Sequence, residues 1–179
     1  RGLAGYWRVN GSSKSAIIGK WINSPGKTLL NKVKKDLGSN YLPIIAEDLG
    51  VITPDVVKLR KNFELPGMKI LQFAFDGNED NPYLPENIEG ENWVVYTGTH
   101  DNSTSISWWD CLENNSKTRI RDDYDFSENP SWSLMKIGMN TNANLFIAPI
   151  QDILSLDDSC RLNRPGTTVN NWKWKLNKP

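Results

Sequence analysis

The chain has 179 residues, enough for one domain with a sizeable core. Its 38% hydrophobic and 23% charged content is ordinary for a globular protein, and 21 basic against 21 acidic residues leave a formal net charge of zero. That balance gives no electrostatic case for nucleic acid or an anionic membrane as partner, and no apolar run is long enough to span a bilayer.

After an irregular opening, Ser24-Pro25-Gly26 leads into a predicted helix over 27–37, with Leu29, Leu30, Val33 and Leu37 at helical spacing and Gly38 as the stop. Residues 41–46 read as a short buried strand that ends at Glu47. Thr53-Pro54 starts a helix, a capping hydroxyl followed by proline at the first helical position. Val56, Leu59 and Phe63 line one face of it, and Pro66-Gly67 ends it. A second strand over 68–75 runs into Asp76-Gly77, and a polar loop with Pro82 and Pro85 continues to Glu91. A third strand over 93–99 delivers His100-Asp101, after which Ser103 or Thr104 caps a helix carrying Trp108 and Trp109. Residues 114–130 read as loop, 131–140 as helix, 144–150 as a fourth strand ending at Gln151-Asp152, and the tail as loop-rich.

Strand and helix in alternation argue an α/β protein with a parallel sheet. Four apolar strands, each covered by a helix, make half of a barrel, and an open piece of that kind would expose two sheet edges. The missing half is therefore expected upstream, and an opening on Arg1 rather than Met fits a start that is not native. No repeat or low-complexity linker marks a second domain, so residues 1–179 are read as part of one. No signal-peptide pattern is present.

Cys111 and Cys160 lack the close spacing of a metal or redox motif, and two idle thiols in a reducing compartment is the simpler reading. The triplets at Asn10, Asn102 and Asn114 match the N-glycosylation pattern, which matters only in a secreted protein. Eight tryptophans is a heavy load for this length. Indole faces suit sugar rings, although packing in a core is the commoner use of any one of them.

The chemistry lies in acids at strand ends, where barrel enzymes place their catalytic groups around a common cleft. Cleaving a glycosidic bond takes two carboxyl groups, one to protonate the leaving oxygen and one to support the positive anomeric carbon. Glu47 is the better acid, since burial and neighbouring negative charge would raise its pKa. Asp48 points to the other face of the strand and takes a structural, hydrogen-bonding role. His100, the single histidine, stands between a buried strand and Asp101, which favours contact with a sugar hydroxyl over a core role. Asp76 and Asp152 end the other two strands, although either acid can simply cap the helix that follows.

The segments Ala46-Glu47-Asp48-Leu49-Gly50-Val51-Ile52-Thr53-Pro54, Pro66-Gly67-Met68-Lys69 and Leu71-Gln72-Phe73-Ala74-Phe75 resemble, in order, those of the amylomaltase (4-α-glucanotransferase, or disproportionating enzyme) family. So do Asn81-Pro82-Tyr83-Leu84-Pro85, Tyr96-Thr97-Gly98-Thr99-His100-Asp101-Asn102 and Asn163-Arg164-Pro165-Gly166. The resemblance runs from about Arg1 to Leu176 and is closest to bacterial and plastid-type members. It implies the carboxyl-terminal half of a (β/α)8 TIM barrel of the α-amylase clan, and a retaining transfer of α-1,4-glucan segments between malto-oligosaccharides. Glu47 then matches the general acid/base, and Asp101 the carboxylate that holds the distorted sugar. His100, Asp76 and Asn163 fall at substrate-contact positions.

Arg1-Gly2 look like the end of the family's Asp-His-Phe-Arg-Gly motif, which puts the nucleophilic aspartate three residues before Arg1. The chain alone is accordingly expected to be inactive. Lys173 and Lys175 stand where arginines are usual, and Glu86 where histidine is common. No metal or organic cofactor is implied. The expected partner is a malto-oligosaccharide or starch-derived glucan, in the cytoplasm or alternatively the plastid stroma. A glycoside hydrolase of the same clan and a non-catalytic glucan-binding remnant are the rival readings.

Overall fold

The computed structural model describes residues 1–176, so the reading of one domain over 1–179 reaches three residues beyond the described ones. The chain divides into two compact units, one spanning Arg1–Met68 and the other beginning at Lys69.

The first unit opens on an antiparallel hairpin of β1 (Gly5–Val9) and β2 (Gly19–Asn23), in register with Trp7 opposite Trp21. The expected irregular opening is thus an ordered hairpin, and Asn10-Gly11 directly after β1 is a turn signal, with the Ser13 N–H donating to the Asn10 carbonyl at 2.9 Å. The Trp7 indole donates to the Ala16 carbonyl at 2.8 Å and lies across Gly19, where a Cβ would sit 2.7 Å from the ring. Helix α1 (Gly26–Leu37) matches its predicted span and stops at Gly38, whose left-handed φ of 60° lets its N–H reach the carbonyls of Lys34 and Lys35. Of its apolar stripe only Leu30 is buried, in a small core with Leu42, Phe63 and Leu65.

The strand expected over 41–46 is irregular chain without a sheet partner among the described residues, with the Ile44 N–H donating back to the Leu42 carbonyl at 2.8 Å. Its Ala46 N–H donates to Pro66 at 2.8 Å, but the N–H of Met68 then turns to the Asp48 carboxylate, also at 2.8 Å. A side chain takes the place of the next backbone acceptor, so no ladder develops. Helix α2 (Pro54–Asn62) starts as expected at Thr53-Pro54, but the Thr53 hydroxyl makes no cap. The Thr53 carbonyl accepts from Val56 and Val57, while the hydroxyl lies against Asp55 and holds that exposed carboxyl below its ordinary range.

A three-stranded sheet follows in the order β3 (Gly67–Ile70), β4 (Trp93–Tyr96) and β5 (Leu145–Ile147). Strands β4 and β5 are parallel, with Val94 opposite Leu145, Val95 opposite Phe146 and Tyr96 opposite Ile147. All three are shorter than the sequence suggests. After Ile70 the chain turns into a 3₁₀ helix over Leu71–Phe73, so residues 71–75 leave the sheet. The fourth predicted strand gives way to a short helix α6 (Ile150–Ile153).

Helix α3 (Ser105–Cys111) is capped by Thr104, whose hydroxyl accepts from Ser107 at 3.4 Å. Helix α4 (Asn114–Asp123) occupies a stretch read as loop. Its single buried residue is Ile120, too little apolar periodicity for the sequence to display. Helix α5 (Pro130–Met139) packs so closely at Gly138 that a Cβ there would lie 2.3 Å from the Phe146 ring. Leu71, Phe75, Val95, Trp109, Ile120 and Leu134 centre the core of this unit, with Trp109 stacked on Phe126 at 4.3 Å.

Asp152 is the buried polar centre of the second unit. At 1% exposure it accepts from Thr97 Oγ1 (2.5 Å), Ser105 N (2.7 Å) and Ser105 Oγ (2.8 Å). Of the two roles open to it in the sequence, it fills the structural one. Asp152→Ala should lower the unfolding free energy by about 3 kcal/mol, because three donors lose a charged acceptor in a dry site. Urea unfolding measures it.

The Tyr124 hydroxyl donates to both Glu86 oxygens, at 3.0 and 2.8 Å. Burial first, and then the Glu86 carboxylate, push its pKa above the ordinary tyrosine value. The neutral form is favoured in the folded state, so this contribution is complete below pH of about 10 and is lost as pH rises beyond it. Tyr124→Phe should therefore flatten the alkaline decline in stability, read from melting temperatures between neutral and strongly alkaline pH.

Candidate active site

In the first unit the two adjacent acids have separated as their alternation along the chain requires. Asp48 is turned inward: Oδ1 accepts from Met68, and Oδ2 stands 3.2 Å from Arg60 Nε, with both side chains about 10% exposed. Arg60 also donates to the Leu65 carbonyl at 3.2 Å. The pair thus ties helix α2 to the segment after it.

Glu47 is exposed, not buried as expected, and its Oε1 accepts from the Leu49 N–H at 2.8 Å. Among the described residues Oε2 takes no hydrogen bond. Glu47 lines a cleft of about 420 Å³ whose other walls include Leu30, Ile44, Val56 and Leu59. A carboxyl with one oxygen fixed and one open, set against apolar walls, has the equipment to hand a proton to a bound oxygen.

The second unit gathers three of the expected site residues. Asn163 Nδ2 donates to Asp101 Oδ1 at 2.6 Å, His100 Nε2 stands 3.2 Å from the same oxygen, and the Asn163 N–H donates to the His100 carbonyl at 3.2 Å. Strand β4 feeds this loop, and a turn shapes it: Asn102 Oδ1 accepts from Thr99 N (2.9 Å) and Thr99 Oγ1 (2.7 Å). His100 and Asp101 are each about half exposed. Oδ1 of Asp101 is thus engaged by Asn163, while Oδ2 accepts nothing among the described residues. An oriented carboxylate with one open oxygen is suited to accept hydroxyl hydrogen bonds from a polyol.

Asp76 stands apart from this group, with no bond to it among the described residues. Its carboxylate accepts from the Asn78 N–H at 2.9 Å. That bond, followed by the Asn81 side chain, holds its pKa below the ordinary carboxylate range.

Two residues not singled out by the sequence complete the cluster. The Trp172 ring lies 5.0 Å from His100, and the backbone N–H of Trp172 donates to the Leu162 carbonyl at 2.6 Å. Arg161 donates to the backbone carbonyls of both Asp101 (2.5 Å) and Asn163 (2.8 Å). An arginine two positions before an asparagine offers no signal in the sequence. Of the eight tryptophans only Trp109 is buried, and Trp21, Trp132 and Trp172 are more than half exposed. Among the described residues no three His, Cys, Asp or Glu side chains come together as a metal site.

A family model described as 4-alpha-glucanotransferase matches residues 1–179. The chain is 47% identical over 178 residues to the chloroplastic/amyloplastic 4-alpha-glucanotransferase of Arabidopsis thaliana, covering 98% of this chain and 30% of that protein. It is 42% identical over 184 residues to the 4-alpha-glucanotransferase of Thermus thermophilus, covering 98% and 36% respectively. The amylomaltase from Streptococcus agalactiae, solved in complex with acarbose, matches with a TM-score of 0.89 at 32% identity, over 99% of this chain and 36% of that one. The chain therefore spans about a third of the length of these relatives.

The Asp48–Arg60 pair makes a separate, structural expectation. Asp48→Asn should destabilise the fold by about 3 kcal/mol, because it removes the negative charge from a nearly buried ion pair. Thermal and urea unfolding check this.

Proposed function

Because this chain belongs to the 4-alpha-glucanotransferase family, we propose that it supplies the carboxyl-terminal part of one catalytic (β/α)8 barrel domain. The full-length enzyme breaks an α-1,4 bond in a malto-oligosaccharide and passes the donor segment to the 4-hydroxyl of another glucan. It acts in the cytoplasm, the alternative being the plastid stroma. The Thermus and Arabidopsis relatives carry the transferase name, and the Streptococcus relative was solved with acarbose.

Glu47 is the general acid/base. It protonates the departing glycosidic oxygen, then removes the proton from the incoming hydroxyl, a switch that a retaining two-step reaction requires. Asp101 steadies the oxocarbenium-like sugar, accepting its hydroxyls on Oδ2 while Asn163 and His100 hold Oδ1. His100, Asn163 and Asp76 are read as substrate contacts. The nucleophilic carboxylate is the aspartate of the family's Asp-His-Phe-Arg-Gly motif.

The observation that carries this reading is the short Asn163–Asp101 bond. It joins residues 62 apart in sequence and engages one oxygen of the carboxylate. Oδ2 accepts nothing among the described residues and can take a sugar hydroxyl.

Maltotriose is the test substrate for the full-length enzyme. Longer glucans together with free glucose are expected, whereas maltose and glucose alone would show a hydrolase. Glu47→Gln and Asp101→Asn should each lower turnover by about three orders of magnitude with folding intact. Near-normal activity in either variant removes that residue from the mechanism.

A further inference from the structure

We propose that Arg161 is a positioning residue for the reaction, setting the direction of the Asp101 carboxylate by holding the two backbone segments that orient it. The inference rests on the reading of Asp101 given above.

The guanidinium of Arg161 is spent almost wholly on this task. Nη2 donates to the Asp101 carbonyl at 2.5 Å and Nε to the Asn163 carbonyl at 2.8 Å. Nη1 donates to Ser103 Oγ at 2.9 Å and stands 3.3 Å from Asp158 Oδ2. One rigid planar group therefore grips the loop at Asp101 and at Ser103 just after it, together with the segment bearing Asn163. This is a task for a fork of fixed geometry rather than for a point charge. The side chain is only 15% exposed, so it is held where it is and does not reach out for a ligand.

Asp158 fixes the fork in turn. Its Oδ1 accepts from Thr104 N at 2.9 Å and its Oδ2 from Ser103 Oγ at 3.2 Å, while its own N–H donates to Ser107 Oγ at 2.9 Å. The clamp is thereby anchored to the first turn of α3, an element that the core already holds. The consequence falls on one distance. With both carbonyls pinned to one plane, Asn163 Nδ2 stays 2.6 Å from Asp101 Oδ1, and the carboxylate keeps a single direction. Without the fork, the Asp158 contacts to Ser103 and Thr104 still join the two segments, but beside Asp101 itself there remain the Asn163 N–H to His100 carbonyl bond and the Asn163 side chain, and the carboxylate can swing.

The test uses the full-length enzyme with maltotriose and compares Arg161→Lys, Asp101→Asn and the double variant. Arg161→Lys keeps the charge beside Asp158 but not the fork. It should lower kcat by about 100-fold, the scale of a misplacement near 1 Å, while KM moves by less than about threefold. In the Asp101→Asn background the same change should cost almost nothing further, since its effect passes through that carboxylate. A near-normal kcat for Arg161→Lys, or an equal loss in both backgrounds, overturns the proposal. If Arg161→Lys does not fold, Ser103→Ala carries the test: a kcat loss of about threefold that vanishes in the Asp101→Asn background is expected, and an unchanged kcat overturns it. Full activity in Asp101→Asn alone would instead sink the reading of Asp101, an outcome distinct from any behaviour of Arg161.

Discussion

One buried carboxylate governs the shape of the second unit. Asp152, on the short helix α6, holds Thr97 at the exit of β4 and Ser105 at the start of α3. The residues between them, among which stand His100 and Asp101, form a loop anchored at both ends by the same side chain. A loop of that kind keeps a fixed span, because acceptor and donors are buried and breaking their bonds leaves them unsatisfied. The finer arrangement of Asp101, Asn163 and Arg161 presupposes this anchor.

The first unit uses a second buried acid in a similar way. Asp48 and Arg60 join the segment that carries Glu47 to helix α2 and its exit. In both units an inward carboxylate fixes the backbone while a nearby outward one keeps an oxygen open. The pair Glu47 and Asp48 shows the division most simply, since the two adjacent residues face opposite ways.

Much of this was legible in the residues. Helices α1, α2, α3 and α5 follow from periodicity, proline and glycine punctuation, and caps, all of which are local signals. The inward role of Asp48 followed from alternation alone. What escaped was settled by partners distant in the chain. The strand expected over 41–46 lost its ladder to the Asp48 side chain, and α4 is held by the lone buried Ile120. The β1–β2 hairpin had Asn10-Gly11 as a local signal, but its register depends on cross-strand indoles and a glycine beneath Trp7. Arg161 was invisible for the same reason: its importance lies in whose carbonyls it reaches, and sequence spacing does not encode that.

Trp172 sets backbone strain against a side-chain contact. Its φ of 60° lies in the left-handed region, where a bulky side chain costs about 1–3 kcal/mol and glycine costs nothing. Evolution toward a sturdier fold would drift to glycine at this position, yet drift of that sort would remove the indole beside His100. Stability and the furnishing of the loop therefore pull in opposite directions at a single residue, and a search for heat-tolerant variants that ignored this would trade away the ring first.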